Sequence, residues 1–242
     1  MIRTAIKNIL HNAGYTVVKS SVSMIADHQK NSFSQCGEDL IIDYIFKLRN
    51  TPMPTYMDIG ANDPFHLNNT AIFYRRGCHG INLEGNPNLA ENFNLYRPAD
   101  LNLTMGISDI EEERNLYIMC DHTLSTFNLD EYDNLIRNGQ KLNEIKKIKL
   151  NTIQYILDQY CKGIFPDLLS LDAEGMDLQI LKSINFSESA PKIICVEAAA
   201  YSPNGAGARR NDLIDFLVSK GYYEYANTNL NAIMVKNDFW FI

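Results

Sequence analysis

The sequence predicts an α/β chain of the doubly wound, three-layer kind, with a mostly parallel sheet and helices on both faces. Three observations predict it. Short apolar runs of four or five residues alternate with longer segments of helical spacing, the pattern of parallel strands joined by right-handed crossovers. Two of the runs, Tyr56 to Ile59 and Ile81 to Glu84, carry an acid at their carboxyl ends and lead into a Gly turn. The chain closes on two strand-like runs, 222–226 and 232–236, across Asn-Thr-Asn-Leu-Asn. That is a hairpin, and it adds at least one antiparallel strand at the far edge.

Residues 1 to about 20 set Ile2, Ala5, Ile6, Ile9 and Leu10 at helical spacing, and Gly14 stops the helix. Two readings of it stay open. It is a peripheral anchor touching a membrane or a partner enzyme, or it packs on its own domain or on a second subunit. Residues 21–34 are polar and without period, as a linker arm is. Ser34 to Asp39 then opens an apolar-rich helix that Asn50-Thr-Pro52 ends.

The first strand follows at 56–59. A helix is expected over 67–76, closed by Gly77, then the second strand at 81–84. Pro87 suits the first turn of a helix running to Tyr96. Leu101 to Ile107 alternates and reads as one strand ending at Ser108-Asp109, and 114–119 as another. Cys120 to Lys149 reads as a long connection holding a helix near 130–138. Further on, helices are expected at 152–160, 177–183 and 211–220, with strands at 168–171 and 193–196.

With 242 residues, 45% apolar and 21% charged, the chain is an ordinary globular one with room for a large single domain. Its net charge of -7 argues against a nucleic-acid backbone as main partner. No apolar run reaches the length of a membrane span, and the N-terminus has no secretory pattern. Five scattered cysteines, none in C-x-x-C spacing, read as reduced, mostly buried thiols of a cytoplasmic protein.

Ligands of such sheets sit outside the carboxyl ends of the strands. Asp58, Glu84, Asp109, Asp172 and Glu197 all fall there. One acid in that position is ordinary helix-end chemistry; five at one edge suggest a site. A dinucleotide fold needs G-x-G-x-x-G facing a pyrophosphate, whereas only Gly60 is present and Asp58 precedes it. A cationic nucleoside without phosphates fits better. S-adenosylmethionine is such a ligand, and Glu84 is placed for its ribose hydroxyls.

Several ordered motifs resemble the FkbM-type methyltransferases. They are Ser34-Gln-Cys-Gly-Glu-Asp39, Asp58-Ile-Gly-Ala-Asn62, Asn69-Thr70, Gly80-Ile-Asn-Leu-Glu84 with Asn86-Pro87, Leu124-Ser-Thr126 and Leu171-Asp-Ala-Glu-Gly175. The similarity runs from about 32 to 237, so 1–31 reads as an N-terminal helix and linker arm and 32–242 as the methyltransferase domain. The resemblance implies a Rossmann-like class I methyltransferase fold, a seven-stranded sheet with its last strand antiparallel. It also implies S-adenosylmethionine as donor and, commonly, O-methylation of a sugar or other hydroxyl. By the same resemblance Asp58, Gly60 and Asn62 cradle the methionine part, Glu84 binds the ribose, Asp109 lies near the adenine, and Gln35 and Asp39 close over the donor. Two departures, Ala173 before Glu174-Gly175 and Asp63-Pro64 after the first motif, bear on substrate preference.

The acceptor side is expected at Asp172, Glu174 and Glu197. Asp172 is the candidate for acceptor contact and for removing the hydroxyl proton. Carboxylates facing one hydroxyl also suit Mg²⁺, with Asp172 and Glu197 as its ligands; otherwise Glu174 caps the following helix and Glu197 bonds a loop. His122, and less so His66, are candidate bases. The loop from Tyr201 to Gly205 offers an aromatic for a sugar ring, and Arg209-Arg210 a pair of charges for a phosphorylated acceptor. The expected activity is therefore O-methylation of a carbohydrate, as a nucleotide sugar or a surface glycan. The alternatives are a methyltransferase of a natural-product pathway, a non-catalytic module keeping the fold, and an NAD-dependent oxidoreductase, which the missing glycines disfavour.

Overall fold

The structure is a computed structural model that describes residues 2–15, 29–200, 202 and 207–241. The chain divides into two compact units, Met1–Asn31 and Ser32–Ile242. In the first, helix α1 (Ile2–Asn12) is closed by Gly14 at φ 83, and Ile6 and Ile9 on it are exposed. No helix among the described residues is long and apolar enough to cross a membrane.

The second unit is built on a seven-stranded sheet. In chain order its strands are β1 (Tyr56–Ile59), β2 (Gly80–Leu83), β3 (Leu101–Leu103), β7 (Leu168–Leu171), β8 (Ile193–Glu197), β9 (Tyr222–Asn227) and β10 (Asn231–Lys236). The spatial order is β3-β2-β1-β7-β8-β10-β9. All pairings up to β8 are parallel, and β10 runs antiparallel to both of its neighbours. This is the seven-stranded arrangement with an antiparallel last strand that the resemblance implies. The antiparallel strand lies second from the edge, because the hairpin folds β10 back between β8 and β9.

Alternation in β1 sorts the layers. Met57 and Ile59 join the larger apolar cluster, with Ile156 and Leu157 of α6 (Ile153–Tyr160), Ile180 of α7 (Asp177–Lys182) and Leu213 of α8 (Asn211–Ser219). Tyr56 joins the other cluster, with Ile42 and Phe46 of α2 (Glu38–Leu48) and Phe73 of α3 (Ala71–Arg75). Asp58 therefore faces the α2 and α3 side. Full burial of each such side chain contributes about 1.5–3 kcal/mol. Helix starts follow the sequence: Asn86 caps α4 (Pro87–Tyr96), Asn128 caps α5 (Leu129–Arg137) and Thr152 caps α6, each through its side-chain oxygen.

Three expectations need correction. Leu101 to Ile107 is not one strand, since the chain leaves the main sheet at Leu103 and enters a second sheet as β4 (Gly106–Ser108). An alternating pattern keeps its period across such a switch and does not record the change of partner. The supposed connection up to Lys149 contains most of β6 (Leu142–Thr152), which pairs with β5 (Glu112–Met119) in a long antiparallel ribbon. Lys-rich, with one face half-buried and the other exposed up to Lys149, β6 lacks the continuous apolar stripe that marks a strand. The helix expected from 67 begins only at Ala71; before it, Leu67 sits at φ 53 and Asn68 and Thr70 turn inward.

Candidate functional site

At the carboxyl ends of β1, β2, β7 and β8 lies a cavity of about 390 Å³. Its floor is the turn after β1. Gly60, at φ 74, passes so close to the neighbouring strand that a Cβ there would stand 1.8 Å from the Asp172 backbone oxygen. Asn62 follows in the left-handed region at φ 54, a conformation that Asn tolerates better than most residues.

Asp58 is buried at the back of this floor. Its Oδ2 accepts hydrogen bonds from Asn68 Nδ2 at 3.0 Å and Thr70 Oγ1 at 2.8 Å. Burial pushes its carboxyl up, and the nearby Arg97 guanidinium opposes that rise. Glu84, at the end of β2, accepts from the backbone amides of Asn62 at 2.8 Å and Asn86 at 2.6 Å. Burial raises its carboxyl too, against those two amide bonds and with a further rise from Asp58. Two buried carboxylates in one cleft, both raised, suit a ligand that brings positive charge and hydroxyl donors.

Beside Glu84 the wall becomes apolar: Met105, Ile107, Leu116 and Phe127 line it. The Phe127 ring lies over Gly85 and Gly106, where an added Cβ would come within 2.7 and 2.8 Å of it. A flat slot of this kind suits a purine ring. Its mouth is bounded by His122, whose Nδ1 is 2.8 Å from Asn62 Oδ1.

The opposite wall carries Asp172, Glu174 and Glu197, whose carboxylate oxygens lie within 4.8 Å of one another. Glu174 is held at φ 44 and Gly175 at φ 95. Thr126 Oγ1 donates to the Glu174 carbonyl at 2.8 Å and keeps this turn in place, so the Leu124-Ser-Thr126 motif serves the acid cluster. All three carboxyls are raised. Burial and the Asp177 charge push Asp172 up to about 7. Burial, Asp172 and Asp177 push Glu197 up to about 9, with Arg210 opposing. Burial, Asp172 and Glu197 hold Glu174 well above its ordinary value. Asp172 is exposed to the open cavity, so crowding by like charges supports its direction better than depth does. Such a cluster retains protons at neutral pH. Its hard oxygen donors also fit a divalent cation such as Mg²⁺.

The structure brings together Gln35, Asp58, Gly60, Asn62, Glu84, His122, Asp172, Glu174 and Glu197 around one cavity. It does not bring Asp39 or Asp109 there. Asp39 is wholly buried and accepts from Ser32 Oγ, Ser34 Oγ and the Phe33 amide, ordering the segment that carries Gln35. Asp109 is exposed and bound to Gln179 Nε2 at 2.6 Å, because the sheet switch at Thr104 carries it past the slot. His66 is exposed and lies outside the cavity lining. Arg209 pairs with Glu224 and Arg210 with Asp177, so both charges are engaged within the fold. No side chain caps the start of α7, Glu174 included; Asp177, its first residue, accepts from Ala173 N at 2.8 Å and closes the turn before the helix. Cys36 and Cys120 are exposed, contrary to the expectation of mostly buried thiols. Tyr201, Pro203, Asn204 and Gly205 lie outside the described residues, while Ser202 lines the cavity.

Sequence reasoning passed over Asn68, Arg97 and Asp100. Arg97 ends α4 with no exposed surface and forms an ion pair with Asp100 at 2.8 Å. Polar residues outside any period carry no pattern. The one available signal was an Arg next to Pro98 at a helix end, which says nothing of burial.

The sequence matches the methyltransferase FkbM domain over residues 58–223. No curated protein matches it. Among solved structures it is similar to a methyltransferase FkbM from Methylobacillus flagellatus KT, with 15% identity and a TM-score of 0.41, over 75% of this chain and 42% of that one. It is also similar to a TehB-like SAM-dependent methyltransferase from Corynebacterium glutamicum ATCC 13032, with 12% identity and a TM-score of 0.43, over 88% of this chain and 93% of that one. The chain thus spans less than half the length of the Methylobacillus protein.

Proposed function

The chain belongs to the FkbM methyltransferase family, and we propose that it transfers the methyl group of S-adenosylmethionine to a carbohydrate hydroxyl. The observation that carries this reading is the two-sided cavity. Asp58 and Glu84 stand on one wall with an apolar slot beside them, and three crowded carboxylates stand on the other.

On the donor side, Asp58 faces the amino group of the methionine part and Glu84 accepts from the ribose hydroxyls. The purine lies in the slot under Phe127, and Gln35, Asn62 and His122 border the donor's outer side. When bound, S-adenosylmethionine supplies an electrophilic methyl on a cationic sulfur. On the acceptor side, Asp172 takes the hydroxyl proton as the oxygen attacks in line with the departing sulfur. Glu174 and Glu197 hold the acceptor's neighbouring hydroxyls, which is how clustered carboxylates suit a sugar. The free cysteines fit a cytoplasmic enzyme.

A second reading adds a divalent cation held by Asp172 and Glu197, favoured by the convergence of their oxygens with those of Glu174. Labelled methyl transfer from S-adenosylmethionine to a panel of nucleotide sugars and glycans, with and without EDTA, tests both. Transfer that survives EDTA removes the cation. Transfer to small non-sugar alcohols alone removes the carbohydrate, and a protein that binds NADH but no S-adenosylmethionine removes the donor.

A further inference from the structure

We propose that Arg97, remote from the reacting atoms, is a positioning residue that fixes the donor polarity around Asp58 and keeps that carboxylate ready for the cationic amino group of the methyl donor. The inference rests on the donor reading above and extends it to residues outside the cavity.

Arg97 has no exposed surface, and all five of its N–H donors are used. Nε donates to Asp100 Oδ2 at 2.9 Å, and Nη2 lies 2.8 Å from the same oxygen. Nη2 also donates to Thr70 Oγ1 at 3.0 Å, and Nη1 to Asn68 Oδ1 at 3.2 Å and to the Pro64 carbonyl at 3.4 Å. The rings of Tyr56, Tyr74 and Phe93 surround the guanidinium, 5.1–5.5 Å away. Asp100 is locked from the other side by Tyr56 Oη, Gly80 N and Asn82 Nδ2.

A guanidinium can only donate, and this settles two ambiguous groups. With Oδ1 of Asn68 turned to Arg97, its Nδ2 must face Asp58, as observed at 3.0 Å. With a lone pair of the Thr70 hydroxyl taken by Nη2, its single proton goes to an acceptor. The choices are Asp58 Oδ2 at 2.8 Å and Asn68 Oδ1 at 2.9 Å. Asn68 Oδ1 already receives Arg97 Nη1 and the Thr70 amide, so the carboxylate takes the proton. Both donors thus converge on Oδ2, and they bind it more strongly as a carboxylate oxygen than as the carbonyl oxygen of a neutral acid. Burial works against ionisation here; the Arg97 charge offsets it first, and the hydrogen bonds of Thr70, Ser170 and Asn68 add to that.

The experiment compares two ligands by calorimetry: S-adenosylmethionine, and 5′-methylthioadenosine, which shares the adenosine but lacks the amino acid. Thr70→Val keeps the volume and removes the hydroxyl. Arg97→Lys keeps the charge and removes the fork. Each is expected to weaken S-adenosylmethionine binding by about ten-fold and methylthioadenosine binding by less than about two-fold, and Thr70→Ser to restore wild-type binding. Should Arg97→Lys fail to fold, Thr70→Val decides alone. Equal losses for both ligands, or no loss for either, overturn the proposal. A wild-type protein that binds neither ligand overturns the donor reading itself, a separate and recognisable result.

Discussion

Gly60 and the backbone oxygen of Asp172 are in such close approach that no side chain fits between them: a Cβ on Gly60 would lie 1.8 Å from that oxygen. The turn under the proposed donor and the first residue of the acceptor wall thus share one contact. Gly60→Ala combines that clash with an unfavourable φ of 74, and backbone is what must yield. A destabilisation of about 2 kcal/mol or more is expected. It is read by thermal denaturation, with donor binding lost in the fraction that remains folded.

Glu84 holds the turn as well as facing the slot, since its two oxygens accept from Asn62 N and Asn86 N. Glu84→Gln keeps one acceptor and loses the charge. Donor affinity is expected to fall by about ten- to a hundred-fold, the range of one or two hydrogen bonds to a charged group. Calorimetry on S-adenosylmethionine checks it, and an unchanged affinity would move the ribose elsewhere.

His122 is tied to Asn62 through Nδ1. That bond makes it a closing residue of the donor side, so His122→Ala is expected to raise the donor KM by about three- to ten-fold and to alter kcat by less than about two-fold. A loss confined to kcat would make His122 the base in place of Asp172.

The acid cluster gives a pH signature in two parts. Asp172, raised to about 7 first by burial and then by Asp177, accepts a proton only once ionised, so the transfer rate should rise with pH up to about 7 and then level. Asp172→Asn should remove that limb and lower the rate by about a hundred-fold or more. For stability the sign is opposite to that of a salt-bridged acid. Raised folded-state values mean that the folded protein binds protons more tightly than the unfolded chain. The contribution is complete below the ordinary carboxylate range near 4 and is lost as pH rises through about 7 for Asp172 and about 9 for Glu197. Glu197→Gln should therefore stabilise the ligand-free protein at pH 8. Allowing for solvent screening in the open cavity, the gain is about 1 kcal/mol, or 2–4 °C in Tm for a chain of this size.

Much of the fold was legible because buried parallel strands announce themselves as short apolar runs, and acids at their ends mark one edge. Asp58, Glu84, Asp172 and Glu197 follow from that rule. Asp109 does not, because a single period spans the switch between sheets at Thr104, and Asp109 emerges on the far side bound to Gln179. Asp39 carries a motif position yet works as scaffolding under Ser32 and Ser34. The Arg97 relay was illegible for another reason. Beyond Asp100, three residues on, burial of that charge depends on partners brought from β1, β2 and the turn before α3, and no local pattern encodes partners so far apart. Arg209 and Arg210 looked available for the same reason, until Glu224 and Asp177 arrived from elsewhere in the chain.

The β5–β6 ribbon touches the cavity through Leu116, while its outer reach, with Lys147 on Glu113 and Lys149 on Glu111, faces solvent. Substitutions along that outer reach are invisible to the donor side, whose positions are crowded by Gly60, Phe127 and the Arg97 relay. Changes of charge on that exposed face leave the donor chamber alone, whereas a change in the ribbon's length displaces His122, Thr126 and Phe127, which the segment between β5 and β6 carries to the cavity wall.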